Sequence, residues 1–210
     1  MLTNGIVMET GQHKIKYIAL SGIDITDLKK ADNQLREAYK KLELLARTDP
    51  LTQLSNRRDA VEKIEYEVSR FERSKKNFAI IIADIDDFKG VNDKYGHDAG
   101  DYVLKTLANV MRMIVRRQDL VARWGGEEFL LMLPHTDLEG GITLAGKIRE
   151  RILNTNFVYD NHTIDVTLTM GVSRFRKNIT VDKAINLADK ALYLGKTTGK
   201  NKVVSEEELK

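Results

Sequence analysis

The sequence predicts an α/β (α+β) protein in which helices flank one mixed central sheet. Strand-like and helix-like patterns alternate along residues 49–205. Residues 78–83 form an unbroken apolar run, which is typical of a central strand buried on both faces. Two further β-type runs are joined by Gly125 and Gly126, and this pair predicts a hairpin turn.

Composition limits the class of protein. The chain has 210 residues, of which 42% are hydrophobic, so it can bury a sizeable core. No apolar run approaches the roughly 20 residues of a membrane-spanning helix, and the start lacks the pattern of a secretory signal. The absence of cysteine excludes disulfides and thiolate chemistry, and it is consistent with a cytoplasmic protein. The net charge of +3 is spread among acids, which argues against a nucleic-acid partner.

Residues 1–26 are predicted to form one or two strands, because residues 14–20 are rich in β-formers and follow a turn-like segment. A piece this short cannot bury a core alone. It is therefore interpreted either as the remnant of a larger domain or as an edge that packs on another part of the protein.

Residues 27–48 are predicted to form a coiled-coil helix, because apolar residues recur at alternating steps of three and four. The alternative is an amphipathic helix that lies on its own domain. The narrow seam and the polar remaining faces favour the coiled coil. The seam residues are Leu28, Ala31, Leu35, Ala38, Leu42 and Leu45.

Residues 49–205 carry the predicted sheet and its helices. Their periodicity predicts helices at 57–74, 101–115, 143–153 and 181–194, and strands at 78–83, 120–124, 129–133, 164–172 and 202–204. Pro134 is expected to end the second hairpin strand.

Two acidic clusters are the candidate metal ligands. Asp84, with Asp86 and Asp87, follows the buried run, and Glu127 and Glu128 follow the Gly-Gly turn. Each cluster alone is compatible with an ordinary loop or turn. Together, on neighbouring strands, they predict a site for two metal ions of the kind that promotes phosphoryl or nucleotidyl transfer.

Cations and hydrogen-bonding groups suited to a nucleotide accompany these acids. Lys89, Lys196 and Lys200 can bind phosphates, and the segment 196–201 is interpreted as a loop after a helix. Asn92 and Asp101 have the chemistry to read a guanine edge. The same residues are also compatible with a solvated helix end and with simple turns.

Four ordered motifs resemble the GGDEF family of diguanylate cyclases. They cover about residues 46–204 and comprise Thr48–Arg58 (TDPLTQLSNRR), Asp84–Asp101 (DIDDFKGVNDKYGHDAGD), Arg123–Phe129 (RWGGEEF), and Ala188–Tyr193 (ADKALY) followed by Lys196, Gly199, Lys200 and Asn201. The resemblance implies a fold related to the adenylyl cyclase and polymerase palm. It also implies the reaction of two GTP to cyclic di-GMP and two pyrophosphates.

The resemblance also implies roles for individual residues. Two Mg²⁺ ions per active site, or Mn²⁺, would be held by Asp84, the Ile85 carbonyl and Glu127. Glu127 would help deprotonate the attacking 3′-hydroxyl, and Glu128 would support the metal site. Substrate would be bound by Phe88, Lys89, Asn92, His97, Asp101, Gly125, Gly126, Lys196 and Lys200. Lys200 stands where the family often has arginine, so the bidentate contact is lost while the charge is kept. Asp101 favours GTP over ATP.

Arg116-Arg117-Gln118-Asp119 resembles the family's RxxD inhibitory motif. The resemblance implies that Arg116 and Asp119, joined by Lys147, bind the product cyclic di-GMP and limit its synthesis. An ordinary polar helix end is the alternative.

Gly22–Lys29 resembles the end of a PAS sensor domain where it passes into a signalling helix. The expected organisation is therefore a PAS-like remnant at 1–26, a signalling helix at 27–48 and a GGDEF domain at 49–205. Because the reaction joins two nucleotides, a homodimer is expected, formed through the coiled coil and facing cyclase domains. The competing hypotheses are a non-catalytic cyclic di-GMP receptor and a protein-interaction module.

Overall fold

The computed structural model describes residues 2–9 and 15–209, with side chains described for residues 24–38 and 46–209. The chain divides into two compact units, residues 1–46 and 47–210. Among the described residues, no helix is both long and apolar enough to cross a membrane.

The first unit contains two strands and a helix. Strand β1 (Leu2–Glu9) pairs antiparallel with β2 (Ile15–Ile23), and helix α1 (Thr26–Arg47) follows. The turn-like residues predicted between the strands lie outside the described part of the chain. On α1, the seam residues Leu28 and Leu35 are 70% and 57% exposed. The coiled coil itself stays a prediction.

The second unit is built on a five-stranded mixed sheet. Its strands are β3 (Phe78–Ile85), β4 (Leu120–Arg123), β5 (Glu128–Pro134), β8 (Leu168–Phe175) and β9 (Val203–Ser205). Their order across the sheet is β4-β5-β3-β8-β9, and all neighbours pair antiparallel except β8 and β9, which are parallel. The predicted mixed sheet, with residues 78–83 in its centre, is confirmed.

Helices cover both faces of this sheet. They are α2 (Arg57–Ser74), α3 (Phe88–Tyr95), α4 (His97–Ile114), α5 (Leu138–Leu153) and α6 (Val181–Thr197). Alternate residues of β3 point to opposite sides: Ile81 belongs to the apolar core shared with α4 and α5, whereas Ile80 belongs to the core shared with α2 and α6. The central strand is therefore buried on both faces, as its apolar run predicts.

Helix α6 lies unusually close to the sheet because two glycines leave room for it. A Cβ atom added at Gly171 of β8 would lie 1.9 Å from the Ala188 carbonyl oxygen. One added at Gly195 of α6 would lie 2.6 Å from Cγ2 of Thr169. These contacts fix the distance between the last turn of α6 and the rim of the sheet.

The predicted starts of two helices are wrong. Helix α4 begins at His97 rather than residue 101, because Gly96 supplies the break with φ 87° while Gly100 packs inside the helix. Helix α5 begins at Leu138 rather than 143, because the Asp137 side chain accepts a hydrogen bond from the Gly140 amide and caps the helix.

The predicted strand at 164–172 is two strands. Residues His162–Ile164 form β7, which pairs with β6 (Phe157–Tyr159) in a separate hairpin, and β8 begins only at Leu168. Between them, the Thr167 carbonyl accepts from the Asp86 amide at 3.0 Å, and the Thr167 hydroxyl donates to the Asp86 carboxylate at 2.7 Å.

Candidate active site

The predicted metal residues lie together at one end of the two central strands. Asp84 of β3 is directly opposite Glu128 of β5. The Ile85 amide donates to the Glu127 carbonyl at 3.4 Å, which brings Glu127 beside the end of β3. The buried apolar runs of both strands therefore hold Asp84, Ile85 and Glu127 against one rim.

Lys196 inserts its ammonium group among the oxygen atoms of this rim. Its Nζ lies 2.5 Å from Oδ1 of Asp84, 2.9 Å from Oδ1 of Asp86 and 3.0 Å from the Ile85 carbonyl oxygen. The predicted loop position of Lys196 is wrong, because the residue lies in the last turn of α6. Burial opposes charging of Lys196, but the two carboxylates outweigh it and raise the pKa of the ammonium.

The three oxygens around Lys196 fit a divalent cation by their chemistry. They are hard donors of the kind that Mg²⁺ prefers, and they converge on one point, which the Lys196 ammonium occupies. In the part of the chain that the structure describes, no three acidic or histidine side chains are grouped to hold a metal by themselves.

Asp86 is a buried acid of the rim for which the motifs imply no separate role. Its side chain is 3% exposed and accepts from the hydroxyls of Thr167 and Thr169, each at 2.7 Å. The backbone amide of Asn201 donates to the Asp86 carboxylate at 2.9 Å. Despite burial, which opposes ionisation, the Lys196 ion pair and these hydrogen bonds hold the pKa of Asp86 below its ordinary value.

Lys200 lies in the turn after α6, as predicted. Its Nζ bonds Oδ1 of Asp87 at 2.5 Å, at an exposed position. The turn is fixed from both sides, because Asn201 donates to Asp86 and its side chain accepts from Arg149 at 3.0 Å. Lys89, at the start of α3, is exposed. The structure thus brings Lys196 to the acids and leaves Lys89 and Lys200 at the edge.

The residues predicted to read guanine lie at the contact between α3 and α4. Asn92 and Asp101 are both half-buried. Gly100 permits this packing, since a Cβ atom there would lie 2.0 Å from Oδ1 of Asn92. His97 is exposed at the start of α4, and Phe88 is buried at the start of α3.

The glycine turn is held by an arginine that the motifs included without a role. Arg123 donates to the Gly126 carbonyl from Nε at 3.1 Å and from Nη2 at 2.7 Å. Its Nη1 lies 3.2 Å from both carboxylate oxygens of Asp49, which also accepts from Thr52. The opening motif and the glycine turn are therefore connected through Arg123. No sequence signal pairs residues 74 positions apart.

Crowding of acids shapes the electrostatics of the rim. Burial raises the pKa of Asp84, Glu127 and Glu128 above their ordinary values. Repulsion from Asp84 raises those of Glu127 and Glu128 further, and Asp189 of α6 adds to the effect on Glu128. A cluster of this kind binds a cation favourably, because the cation relieves the repulsion. Asp84, Glu128 and Asp189 border an open cleft of about 740 Å³.

A second cavity, of about 690 Å³, lies on another part of the unit and is lined by Arg116 and Asp119. The Arg116 amide donates to Oδ2 of Asp119 at 2.8 Å. Oδ1 of Asp119 is buried and, among the described residues, has no hydrogen-bond partner. Burial raises the pKa of this carboxyl. Four further cations line the cavity: Lys63, Arg70, Arg112 and Arg117. Lys147 is exposed on α5 and is not among the lining residues.

Comparison with known proteins agrees with this geometry. Residues 46–202 match the family described as "Diguanylate cyclase, GGDEF domain". The diguanylate cyclase DgcP of Pseudomonas aeruginosa is 39% identical over 158 residues, which are 75% of this chain and 24% of DgcP. The diguanylate cyclase DgcM of Escherichia coli K12 is 35% identical over 182 residues, which are 87% of this chain and 42% of DgcM. The chain thus spans less than half the length of either relative.

A solved structure shares the fold. The coiled coil and GGDEF domain of DgcB from Caulobacter crescentus, crystallised with c-di-GMP, matches with a TM-score of 0.82 and 27% identity. The match covers 86% of this chain and 96% of the DgcB chain.

Proposed function

Since this chain belongs to the GGDEF family of diguanylate cyclases, we propose that it condenses two GTP molecules into cyclic di-GMP and releases two pyrophosphates. The observation that carries the proposal is the convergence of Asp84, the Ile85 carbonyl and Lys196 beside Glu127. Hard oxygen ligands and a phosphate-binding cation are the groups that nucleotidyl transfer requires.

In each bond-forming step, the 3′-hydroxyl oxygen of one GTP attacks the α-phosphorus of the other. The bond from that phosphorus to the bridging oxygen breaks, and pyrophosphate leaves with the electron pair. Glu127, which the rim holds beside Asp84, takes the hydroxyl proton. Glu128 supports the metal site from the facing position beside Asp84.

Asp84, the Ile85 carbonyl and Glu127 would hold Mg²⁺, two ions per site, and Mn²⁺ can replace it. The bound metal supplies charge neutralisation at the phosphates and acidifies the attacking hydroxyl. The chain's own cations, Lys196 and Lys200, bind the triphosphate together with Lys89 and the backbone around Phe88.

Guanine is read by Asn92 and Asp101, with His97 nearby. The close packing of Asn92 against Gly100 supports this assignment, because it holds the carboxamide at a fixed place between two helices. The Asp101 carboxylate accepts from guanine N1 and N2, which adenine cannot match, so GTP is the preferred substrate.

The active enzyme is a homodimer, because one site holds one GTP and the reaction joins two. The exposed seam of α1, with Leu28 and Leu35, supports a coiled coil that faces two cyclase domains toward each other. Residues 1–26 are the end of a PAS-like sensor domain in this proposal. If Leu35→Asp combined with Leu42→Asp leaves turnover per chain unchanged at dilute enzyme, the role of the seam is refuted.

Product inhibition is proposed at the second cavity, with Arg116 and Asp119 as guanine ligands. Its cations suit a ligand with two phosphates. This cavity also supports the second candidate function, a non-catalytic cyclic di-GMP receptor.

One assay separates the two functions. Purified protein is incubated with GTP and Mg²⁺, and cyclic di-GMP is quantified by chromatography and mass spectrometry. The proposal predicts formation that is abolished in Glu127→Gln and retained in Glu139→Gln, a matched change at an exposed residue of α5. Binding of cyclic di-GMP without any turnover would establish the receptor instead.

A further inference from the structure

The ammonium of Lys196 bonds two of the oxygen donors that are proposed to hold the metal, Oδ1 of Asp84 and the Ile85 carbonyl. An ammonium group has three N–H donors, and each has an acceptor here: Asp84, Asp86 and the Ile85 carbonyl, at 2.5 to 3.0 Å. Two of these acceptors are the proposed metal ligands. A cation that coordinates Asp84 and Ile85 would therefore meet the Lys196 charge at the same oxygens.

We propose that Lys196 is a built-in counter-ion of the metal site: the metal displaces it from Asp84 and Ile85, and the released ammonium binds the triphosphate while Asp86 keeps it in place. This inference rests on the proposed function and deepens it, because it makes binding of metal and nucleotide depend on one another.

The contacts of Asp86 allow it to hold the Lys196 ammonium in place. Its carboxylate is buried and is fixed by Thr167, Thr169 and the Asn201 amide, so it cannot follow a moving partner. Asp84, by contrast, is bonded by Lys196 at the edge of the cleft. Lys196 can thus give up Asp84 and retain Asp86.

The backbone of Lys196 is also fixed, which restricts any movement to its side chain. Helix α6 is packed on β8 through Gly171 and Gly195, and Gly195 directly precedes Lys196. The Lys196 side chain is 23% exposed and lines the cleft beside Asp84. A small rotation of this side chain turns its free donors toward a ligand in the cleft.

The consequence is positive coupling between metal and nucleotide. A metal ion that binds alone must displace the Lys196 ammonium from Asp84 and Ile85, and the displaced ammonium then has no phosphate to bind. Metal that arrives with a triphosphate offers that partner, so each ligand raises the affinity for the other. The site then resists loading by free metal.

The test measures Mn²⁺ binding without nucleotide, by electron paramagnetic resonance of the free ion at pH 8. We expect Lys196→Met to bind Mn²⁺ about tenfold more tightly than the wild type, because a competing charge within about 4 Å is removed. Lys183→Met is the matched control. This lysine is exposed in the first turn of α6, at the opposite end of the helix from Lys196, so the Mn²⁺ affinity should stay within about twofold of the wild type.

With a non-hydrolysable GTP analogue present, the order should reverse, and Lys196→Met should bind the metal–nucleotide complex about tenfold more weakly than the wild type. Unchanged or weaker Mn²⁺ binding by Lys196→Met in the absence of nucleotide would overturn the inference. Cyclic di-GMP formation by the wild type tests the proposed function separately, so either can fail alone.

A measurement on the wild-type protein covers the case in which Lys196→Met does not fold. Lysine labelled with ¹³C at the ε-carbon is followed by NMR during titration with Mg²⁺, with Lys196 and Lys200 assigned by Lys→Arg variants. The Lys196 signal should shift in step with metal binding while that of Lys200 stays unchanged. Metal binding that leaves the Lys196 signal unmoved would contradict displacement.

Discussion

The close approach of α6 to β8 at Gly171 predicts what one added methyl group does. In Gly171→Ala the new carbon would lie 1.9 Å from the Ala188 carbonyl oxygen and 2.3 Å from the Leu192 amide nitrogen, whereas ordinary contacts begin at 3.4 Å. Helix and strand would have to separate by about 1.5 Å, which is 3.4 minus 1.9. Both neighbours are backbone atoms, so no side-chain rotation relieves the overlap.

The cost should reach the upper end of the range for overpacked cores, about 3 kcal/mol in the free energy of unfolding. For a unit of this size, that loss lowers Tm by roughly 6–12 °C. The retreat of α6 also draws Lys196 away from Asp84, and a misplacement of about 1 Å lowers kcat/KM by about a hundredfold.

The assay combines thermal unfolding with initial rates of cyclic di-GMP formation, measured well below the variant's Tm. Gly146→Ala in α5 is the control, since a Cβ atom there meets nothing within 4 Å. It should raise stability by about 1 kcal/mol through helix propensity and leave the rate unchanged. A Gly171→Ala protein as stable and active as the wild type would show that the packing of α6 on β8 does not position Lys196.

Three further predictions concern the acids and the arginines. Arg123→Ala frees the Gly126 carbonyl and leaves the mostly buried Asp49 without its cation, so kcat should fall about tenfold to a hundredfold and Tm should fall by a few degrees; an unchanged kcat would exclude a positioning role. The pKa of Glu127 is raised in the folded state. In the metal-free protein, the stabilisation that comes from its protonated form is therefore present below its ordinary pKa of about 4.3 and is lost as pH rises through the raised value. Glu127→Gln should accordingly have a higher Tm than the wild type at pH 8 but not at pH 4, and equal differences at both pH values would count against this. Arg116→Ala should raise the product concentration for half-inhibition about tenfold without changing the initial rate, and an unaltered inhibition curve would remove Arg116 from the product site.

Much of the central sheet could be predicted from the sequence because its signals are local. The run at 78–83 has to be buried on both faces, and Gly125 with Gly126 marks the turn beside it. The strand at 164–172 shows where this reasoning ends. The alternation through Ile164 and Leu168 continues across a break between two strands, where Thr167 bonds a carboxylate 81 positions away and residues 162–164 pair with a different strand.

The candidate site shows the same division. The two acidic clusters predict that Asp84 and Glu127 lie close together, and the strands do place them at one rim. Nothing local in the sequence marks Asp86 as the anchor of Lys196, or Arg123 as the link to Asp49. Those contacts join residues 110 and 74 positions apart, so they depend on the assembled fold.

The most direct test of the central claim is the stoichiometry of the reaction. Purified chain is given GTP and Mg²⁺, and cyclic di-GMP and pyrophosphate are quantified together over time. We expect one cyclic di-GMP for every two pyrophosphates, and no product of either kind from Glu127→Gln. Pyrophosphate without cyclic di-GMP, or no consumption of GTP at any enzyme concentration, would contradict it.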